Sequence, residues 1–278
     1  MNRGSLLIVT LWIVTILGAL SVAVARYLST EVRLTRYRLA RFEARELARS
    51  GVLLAQHMIF LDDPQVDWGE ESWAKPLRLQ PVEGRTTLTV TITDEERKLN
   101  VNTATLVQLA SRLGDAPAQA ITNYLHDKDA PIAVLHELSD LKDLDETVHD
   151  LLAAHATPYT GTVQNGGPLN INTATREAMI AYGLSEDTVE MIDSFRTNTQ
   201  FERPVDIVPT LQGLGWDITD PVKAGEELLL SSMVTASSFF LVVTEGVVEQ
   251  PAVRVRIQAV LERSAGGATP KILAWQEL

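Results

Sequence analysis

The chain has no cysteine. That excludes disulfides and thiolate metal sites, and leaves the redox compartment open. Histidine is scarce: the five present show no metal-ligand spacing. His136-Glu137 begins a zincin-like H-E-x-x-H, but Asp140 stands where the second histidine belongs. There is no G-x-S-x-G, no phosphate-binding loop and no dinucleotide fingerprint. Nothing nominates a catalytic group, so an enzyme is not expected. Proline is missing until Pro64, and charge is missing from Ser5 to Ala25.

The charge-free stretch holds 21 residues, 16 of them apolar. As a helix rising about 1.5 Å per residue it covers roughly 30 Å, the thickness of a bilayer's hydrocarbon core. Lipid offers the backbone no hydrogen-bond partners, so a spanning segment here must be helical. Without a proline to stop it, the helix is predicted to run on to Leu61. Leu28, Val32, Leu39, Phe42 and Leu47 recur at helical spacing among Arg33, Arg36, Arg38, Arg41, Arg45 and Arg49. Three fates suit the N-terminus: a permanent anchor, a secretory signal cut after Ala23-x-Ala25, or a short leader cut between Gly4 and Ser5.

Charge is unevenly spread. The first 49 residues carry eight Arg and three Glu, a net of +5 in a chain of −12 overall, which leaves −17 for the rest. An acidic body repels phosphate backbones, so nucleic acid is not expected as a partner. The arginines just past Ala25 favour a cytoplasmic body by the positive-inside rule, against export.

Beyond the helix, residues 62–84 read as irregular, with Pro64, Pro76 and Pro81. TTLTVTIT (Thr86 to Thr93) alternates Leu88, Val90 and Ile92 with threonines, a half-buried strand. The charged run DEERK closes it. Then comes a repeat: KLNVNTATLVQLASRLG (Lys98 to Gly114) is echoed by PLNINTATREAMIAYGL (Pro168 to Leu184), 70 residues on. Each copy leads through a short helix and a Gly into a second helix, with Asn102, Thr103, Asn172 and Thr173 as expected N-caps. Val134 to Leu141 and Leu144 to His155 have helical spacing, and Thr160 to Pro168 reads as a loop. From Phe201 to Gly225 the chain reads as loop-rich. Met233 to Thr244, Val253 to Arg263 and Lys271 to Leu278 read as strands, the last two joined by the turn SAGGATP. Hairpin economy sets these three beside the strand at Thr86, with the helical block as an insertion.

The helix pairs invite comparison with helix-hairpin-helix DNA binders. Their hairpins, RLGDAP and AYGLSED, lack a second Gly and bring carboxylates toward the place a phosphate would take. Asp127 and Asp129 in HDKDAP are candidate calcium ligands. As an EF-hand loop the stretch fails, because Pro131 and Ile132 take the fifth-position ligand and the obligatory glycine.

Taken together, RG before SLLIVTLWIVT, then DEERKLNVNTA, YLHDKDAP, LHELSDL, LNINTAT, VRVRIQAVLER and ILAWQEL make the chain resemble the minor pseudopilin K family of type II secretion systems over essentially its whole length. The resemblance implies an α+β fold: a long N-terminal helix, a small antiparallel pilin-like sheet, and a large all-α insertion between the first strand and the later ones. In those terms residues 1–4 are the leader, 5–61 the helix, 62–100 and 226–278 the pilin-like domain, and 101–225 the insertion. It implies cleavage by prepilin peptidase between Gly4 and Ser5, with N-methylation of Ser5. Most pilins carry a glutamate at the fifth mature position. Val9 stands there, as in tip-forming members with no subunit above them. Expected partners are minor pseudopilins of the I and J types, the peptidase and the inner-membrane secretion platform. The expected location is single-pass in the inner membrane of a Gram-negative bacterium, body in the periplasm. Family members follow D-x-D-x-P with a calcium-associated loop; here Pro131 runs straight into IAVLHEL, which leaves Asp127 and Asp129 without the rest of that loop. An anchored periplasmic interaction protein and a DNA-uptake receptor remain the alternatives.

Overall fold

The computed structural model describes residues 3–128, 130–141, 144–159, 169–264 and 268–278. Helix α1 (Arg3–Leu61) is followed by strands β1 (Leu77–Leu79) and β2 (Thr86–Asp94). Next come β3 (Leu99–Asn100), α2 (Leu106–Leu113), α3 (Asp115–Lys128), α4 (Glu146–His155) and β4 (Ala156–Thr157). They lead into α5 (Arg176–Tyr182), α6 (Glu186–Arg196), α7 (Ile207–Gly213) and α8 (Pro221–Ser232). The chain closes with β5 (Phe239–Glu249), β6 (Ala252–Glu262) and β7 (Lys271–Glu277).

Five strands form an antiparallel sheet in the order β1-β2-β5-β6-β7. β2 meets β5 across the whole helical block, with Leu88 opposite Gly246 and Ile92 opposite Val242. The fold is thus α+β: a long apolar N-terminal helix, a small antiparallel sheet, and a helical insertion between β2 and β5. Two details differ from expectation. β1 lies in the stretch that reads as irregular, being too short to show an alternating period. The insertion is not purely helical, because β3 and β4 pair in parallel within it.

One face of α1 lies on the sheet, but not through the large residues that the spacing suggests. Leu28, Val32, Leu39 and Phe42 are exposed. The buried stripe is Ala40, Ala44, Ala48, Val52, Ala55 and Ile59, three or four residues apart along one helix face. The reason is proximity. A Cβ placed on Gly246 of β5 would sit 2.1 Å from the Ala44 carbonyl oxygen, and one on Gly51 would sit 2.9 Å from side-chain carbons of Leu88 and Thr244. The Thr244 hydroxyl donates to the Ala48 carbonyl at 2.8 Å. Only small residues admit that approach, so large side chains are left for the opposite face.

A second core fills the insertion, around Leu109, Ile121, Leu152, Tyr182, Phe201 and Trp216. Leu99 near its start, and Leu230 and Met233 near its end, pack there too. Each repeat copy gives a helix pair turned at a glycine with positive φ, Gly114 at 85° and Gly183 at 118°. The N-caps are Thr105 and Thr175, not the residues expected. The asparagines are used elsewhere: the Asn100 and Asn170 side chains accept from the amides of Asn102 and Asn172 at 2.6 and 3.0 Å. Residues 135–140 form a 3-10 helix. The region expected to be loop-rich holds α7 and α8. Pro209 and Pro221 sit in their first turns, where a missing N–H costs nothing, so proline there marks a helix start rather than a loop. The expected loop at 160–168 lies outside the described residues, as does the middle of the expected turn, 265–267.

Candidate assembly surface

Every residue from Ile8 to Leu39 is exposed. That is about 48 Å of helix with no cover from its own chain. The apolar stretch within it is long enough to cross a membrane by length and composition. In water such a surface is costly; lipid or neighbouring helices of the same kind are what cover it. Val9 is among the exposed residues, and Gly4 and Ser5 fall in the first turns of α1. Below the uncovered half the helix is clamped on both sides. Arg45 makes paired hydrogen bonds of 2.8 Å to Glu277 on β7, and Arg85 at the start of β2 reaches Glu43 at 2.8 Å. Arg45 holds the Glu277 carboxyl below the usual range, chiefly through its hydrogen bond.

The insertion is joined to the sheet through the charged run that closes β2. Asp94, Glu95 and Glu96 are all buried. Oδ2 of Asp94 accepts from the Ser237 hydroxyl at 2.6 Å, from Asn170 Nδ2 at 3.1 Å and from the Thr173 hydroxyl. Oδ1 accepts from the Glu96 amide at 2.8 Å. Burial pushes the Asp94 carboxyl up to about 6 even though these donors pull it down. Glu96 accepts from the Ser238 amide at 2.8 Å, and its carbonyl from the Asn170 amide at 2.9 Å. Beside them Arg263 grips Asp67 with two bonds, 2.6 and 2.8 Å, reaches Asp62 at 2.7 Å and stacks over Phe240. Asp62 is raised to about 7 by burial, then by Glu71 and Asp67. Asp62, Asp67 and Glu71 form the carboxylate cluster compact enough for a metal among the described residues, but the Arg263 guanidinium already serves it.

The other sequence candidates are dispersed. Asp127 is exposed at the end of α3, and Asp129 lies outside the described residues. Lys128 pairs with Glu137 and donates to the Pro131 carbonyl at 3.0 Å, so an ammonium closes this loop. Calcium takes six to eight oxygens; one exposed carboxylate does not fit that need. Glu137, turned to Lys128, is not available to the His136 motif. At the second helix hairpin, buried Glu226 accepts from the Ser185 amide and the Thr188 hydroxyl, both at 2.5 Å. An internal carboxylate therefore holds the helix N-terminus where a DNA phosphate would have to bind. The buried charge run at Asp94 is what sequence reasoning missed. Its signal is position: a charge run wedged between a buried strand and the L-N-V-N motif has little surface to reach.

These elements make the pseudopilin-like fold. Among solved structures, the chain is similar to a chain of the crystal structure of the GspK-GspI-GspJ complex from the enterotoxigenic Escherichia coli type 2 secretion system. The TM-score is 0.67 at 16% identity, covering 88% of this chain and 99% of that one. At that identity the likeness speaks for the fold. Neither a protein-family model nor a curated relative matches the sequence.

Proposed function

We propose that the chain is a minor pseudopilin of the K type in a type II secretion system, a non-enzymatic assembly protein. The observation that carries this is the pairing of an uncovered apolar half-helix with a sheet-and-insertion body, a fold shared along 99% of a chain from a GspK-GspI-GspJ complex. The helix is held in the inner membrane with the body in the periplasm, and prepilin peptidase cuts between Gly4 and Ser5 and methylates Ser5. The subunit then leaves the bilayer by exchanging lipid for neighbouring helices of I- and J-type partners on the secretion platform. Val9 supports a place at the pseudopilus tip: a carboxylate in lipid is costly unless a neighbour's amine meets it, and this position carries none. The insertion adds breadth that a tip tolerates and a filament shaft does not. Mass analysis of the N-terminus of membrane-extracted protein tests the first step. The expected chain begins at methylated Ser5, and a Gly4 substitution blocks its formation. An intact Met1, or a chain beginning at Arg26, overturns the reading.

A further inference from the structure

The arginines of α1 divide into two groups. Arg41 and Arg45 reach Glu277 at 3.7 and 2.8 Å, and Arg49 reaches Glu46 at 3.3 Å. Arg26, Arg33, Arg36 and Arg38 are exposed and have no carboxylate partner among the described residues. The unpaired group occupies the part of the helix between the apolar stretch and the body. Arg26 follows Ala25 directly.

Beside this part the β5–β6 hairpin and the start of β2 overhang the helix. They enclose a groove of about 850 Å³ whose lining includes Arg33, Arg36, Tyr37, Arg85, Val248 and Pro251. Three guanidiniums thus share one groove with one carboxylate, Glu43, which is already bonded to Arg85. The helix brings Arg33 and Arg36 together with Tyr37, and the sheet side brings Arg85 together with Val248 and Pro251, so both walls carry cationic and apolar groups. Helix side chains lean toward the N-terminus, so Arg33 and Arg36 reach back toward the apolar stretch. Arg33 lies about 12 Å past Ala25 along an upright helix, close above a headgroup layer about 5 to 8 Å deep. Tilting and snorkelling shorten the remaining gap.

We propose that Arg26 and this groove form a docking surface for anionic phospholipid headgroups, on the side of the bilayer that carries the body. The inference rests on the membrane-spanning role given to residues 5–25 above. A guanidinium fork matches a phosphate bidentately, and the apolar side chains between the guanidiniums suit the glycerol and upper acyl carbons. The acidic remainder of the chain repels the same headgroups, so docking would fix the body with its hairpin toward the membrane and the insertion away from it. The arginine cluster on the body's side of the span then has a use: it holds the subunit at the lipid surface until assembly.

Native mass spectrometry of the full chain, released from mixed micelles of phosphatidylglycerol and phosphatidylcholine, tests this. The wild type should retain phosphatidylglycerol preferentially. Arg33→Gln with Arg36→Gln should lower that preference about thirtyfold, from roughly fivefold for each arginine near a charged lipid surface. Arg49→Gln, on the same helix but paired with Glu46, should leave it unchanged. Equal retention of the two lipids, an unaltered double variant, or an equal loss in Arg49→Gln overturns the proposal. Insertion into neutral bilayers, read by co-elution with phosphatidylcholine nanodiscs, keeps the two ideas apart. A chain that never inserts overturns the spanning role and the docking surface with it; one that inserts without lipid preference overturns the docking surface alone.

Discussion

The two copies of L-N-[VI]-N-T-A-T adopt one local structure and have different neighbours. In each, an asparagine turns the chain, the next asparagine braces a distant segment, and a threonine caps the following helix. Asn102 donates to the carbonyls of Ile132 and Pro158 and accepts from the Ile132 amide. Asn172 does the same with Phe201 and Thr235. Each copy also pairs in parallel with a returning segment, Asn100 with Thr157 and Asn170 with Val234. The duplication is therefore larger than the matching letters: each unit runs from its motif, through its helices, to a returning segment that pairs with the motif in parallel. The difference lies in what surrounds the motif. Asn170 Nδ2 and the Thr173 hydroxyl bond to Asp94, whereas Asn100 Nδ2 and the Thr103 hydroxyl are buried without a partner among the described residues. The second copy's motif bonds the junction with the sheet; the first copy's motif does not, and its unit packs into the core that both copies share.

The largest effect should come from breaking that junction. Asp94→Ala strands the donors of Ser237, Thr173 and the Glu96 amide in a dry site, while Asn170 Nδ2 keeps the Ser237 hydroxyl and the Asp67 carbonyl. Each buried unpartnered group costs about 1 to 3 kcal/mol, and relief of the carboxylate's desolvation returns part of the sum, so a net loss of about 4 kcal/mol is expected. Denaturant unfolding of the full chain in detergent measures it. Hydrogen exchange locates it: protection of the Ile171 and Ala174 amides should fall while that of Val101 holds. Equal loss at Val101 would show that the two copies are joined to the sheet as one block.

How legible was this from sequence? The strands at Thr86 and Val253 were legible because alternation over eight or more residues has few other readings, and the strand at Lys271 because the turn signal SAGGATP sets it off. The helix to Leu61 was legible because nothing stops it. Its packing face was not, since hydrophobic periodicity weights leucine and phenylalanine while the close approach of Gly246 selects alanine. α7 and α8 were hidden because proline in a first helical turn looks like loop punctuation. The junction was hidden for a different reason. Burial of Asp94 and Glu96 depends on donors from Asn170, Thr173, Ser237 and Ser238, more than 70 residues away in sequence, and no local pattern encodes that; Glu95 instead has a local partner, Lys98.

Acid should sharpen the contrast next. Asp94 has its carboxyl raised from 3.8 to about 6, so the folded chain takes up a proton that the unfolded chain lacks between those values. Stability therefore falls as pH rises through that window and is level above it, a change of up to about 3 kcal/mol at 1.36 kcal/mol per unit. Asp62, raised to about 7, carries the same trend upward. Unfolding midpoints measured from pH 4 to 8 should decline, and Asp94→Asn should flatten the lower part of the curve. Below that range Glu277 and Glu137, held low by Arg45 and Lys128, oppose the trend. The responding Asp94 carboxyl is bonded to Asn170 and Thr173 of the second copy.

Asn172→Ala and Asn102→Ala remove the same three bonds from equivalent places. Asn172 is buried and Asn102 half-buried, so water can replace the lost side chain only in the first copy. About 3 kcal/mol is expected for Asn172 and about 2 for Asn102. Equal losses would mean that burial does not separate the copies.

The smallest effect is the most discriminating. Thr173 and Thr103 occupy the same motif position and are both half-buried. Thr173→Val removes a hydroxyl that donates to Asp94 and should cost about 2 kcal/mol, since a bond to a charged group is at stake. Thr103→Val removes a hydroxyl that has no partner among the described residues, replacing a buried polar atom by a methyl of similar shape. The desolvation cost of that hydroxyl is relieved and no bond is lost, so stability should hold or rise by a few tenths of a kcal/mol. Both variants keep the β-branch, so backbone preference cancels in the difference. A loss at Thr103 as large as at Thr173 would mean that the motif's threonine acts through the local turn alone, and the asymmetry between the copies would then have to be sought in their asparagines.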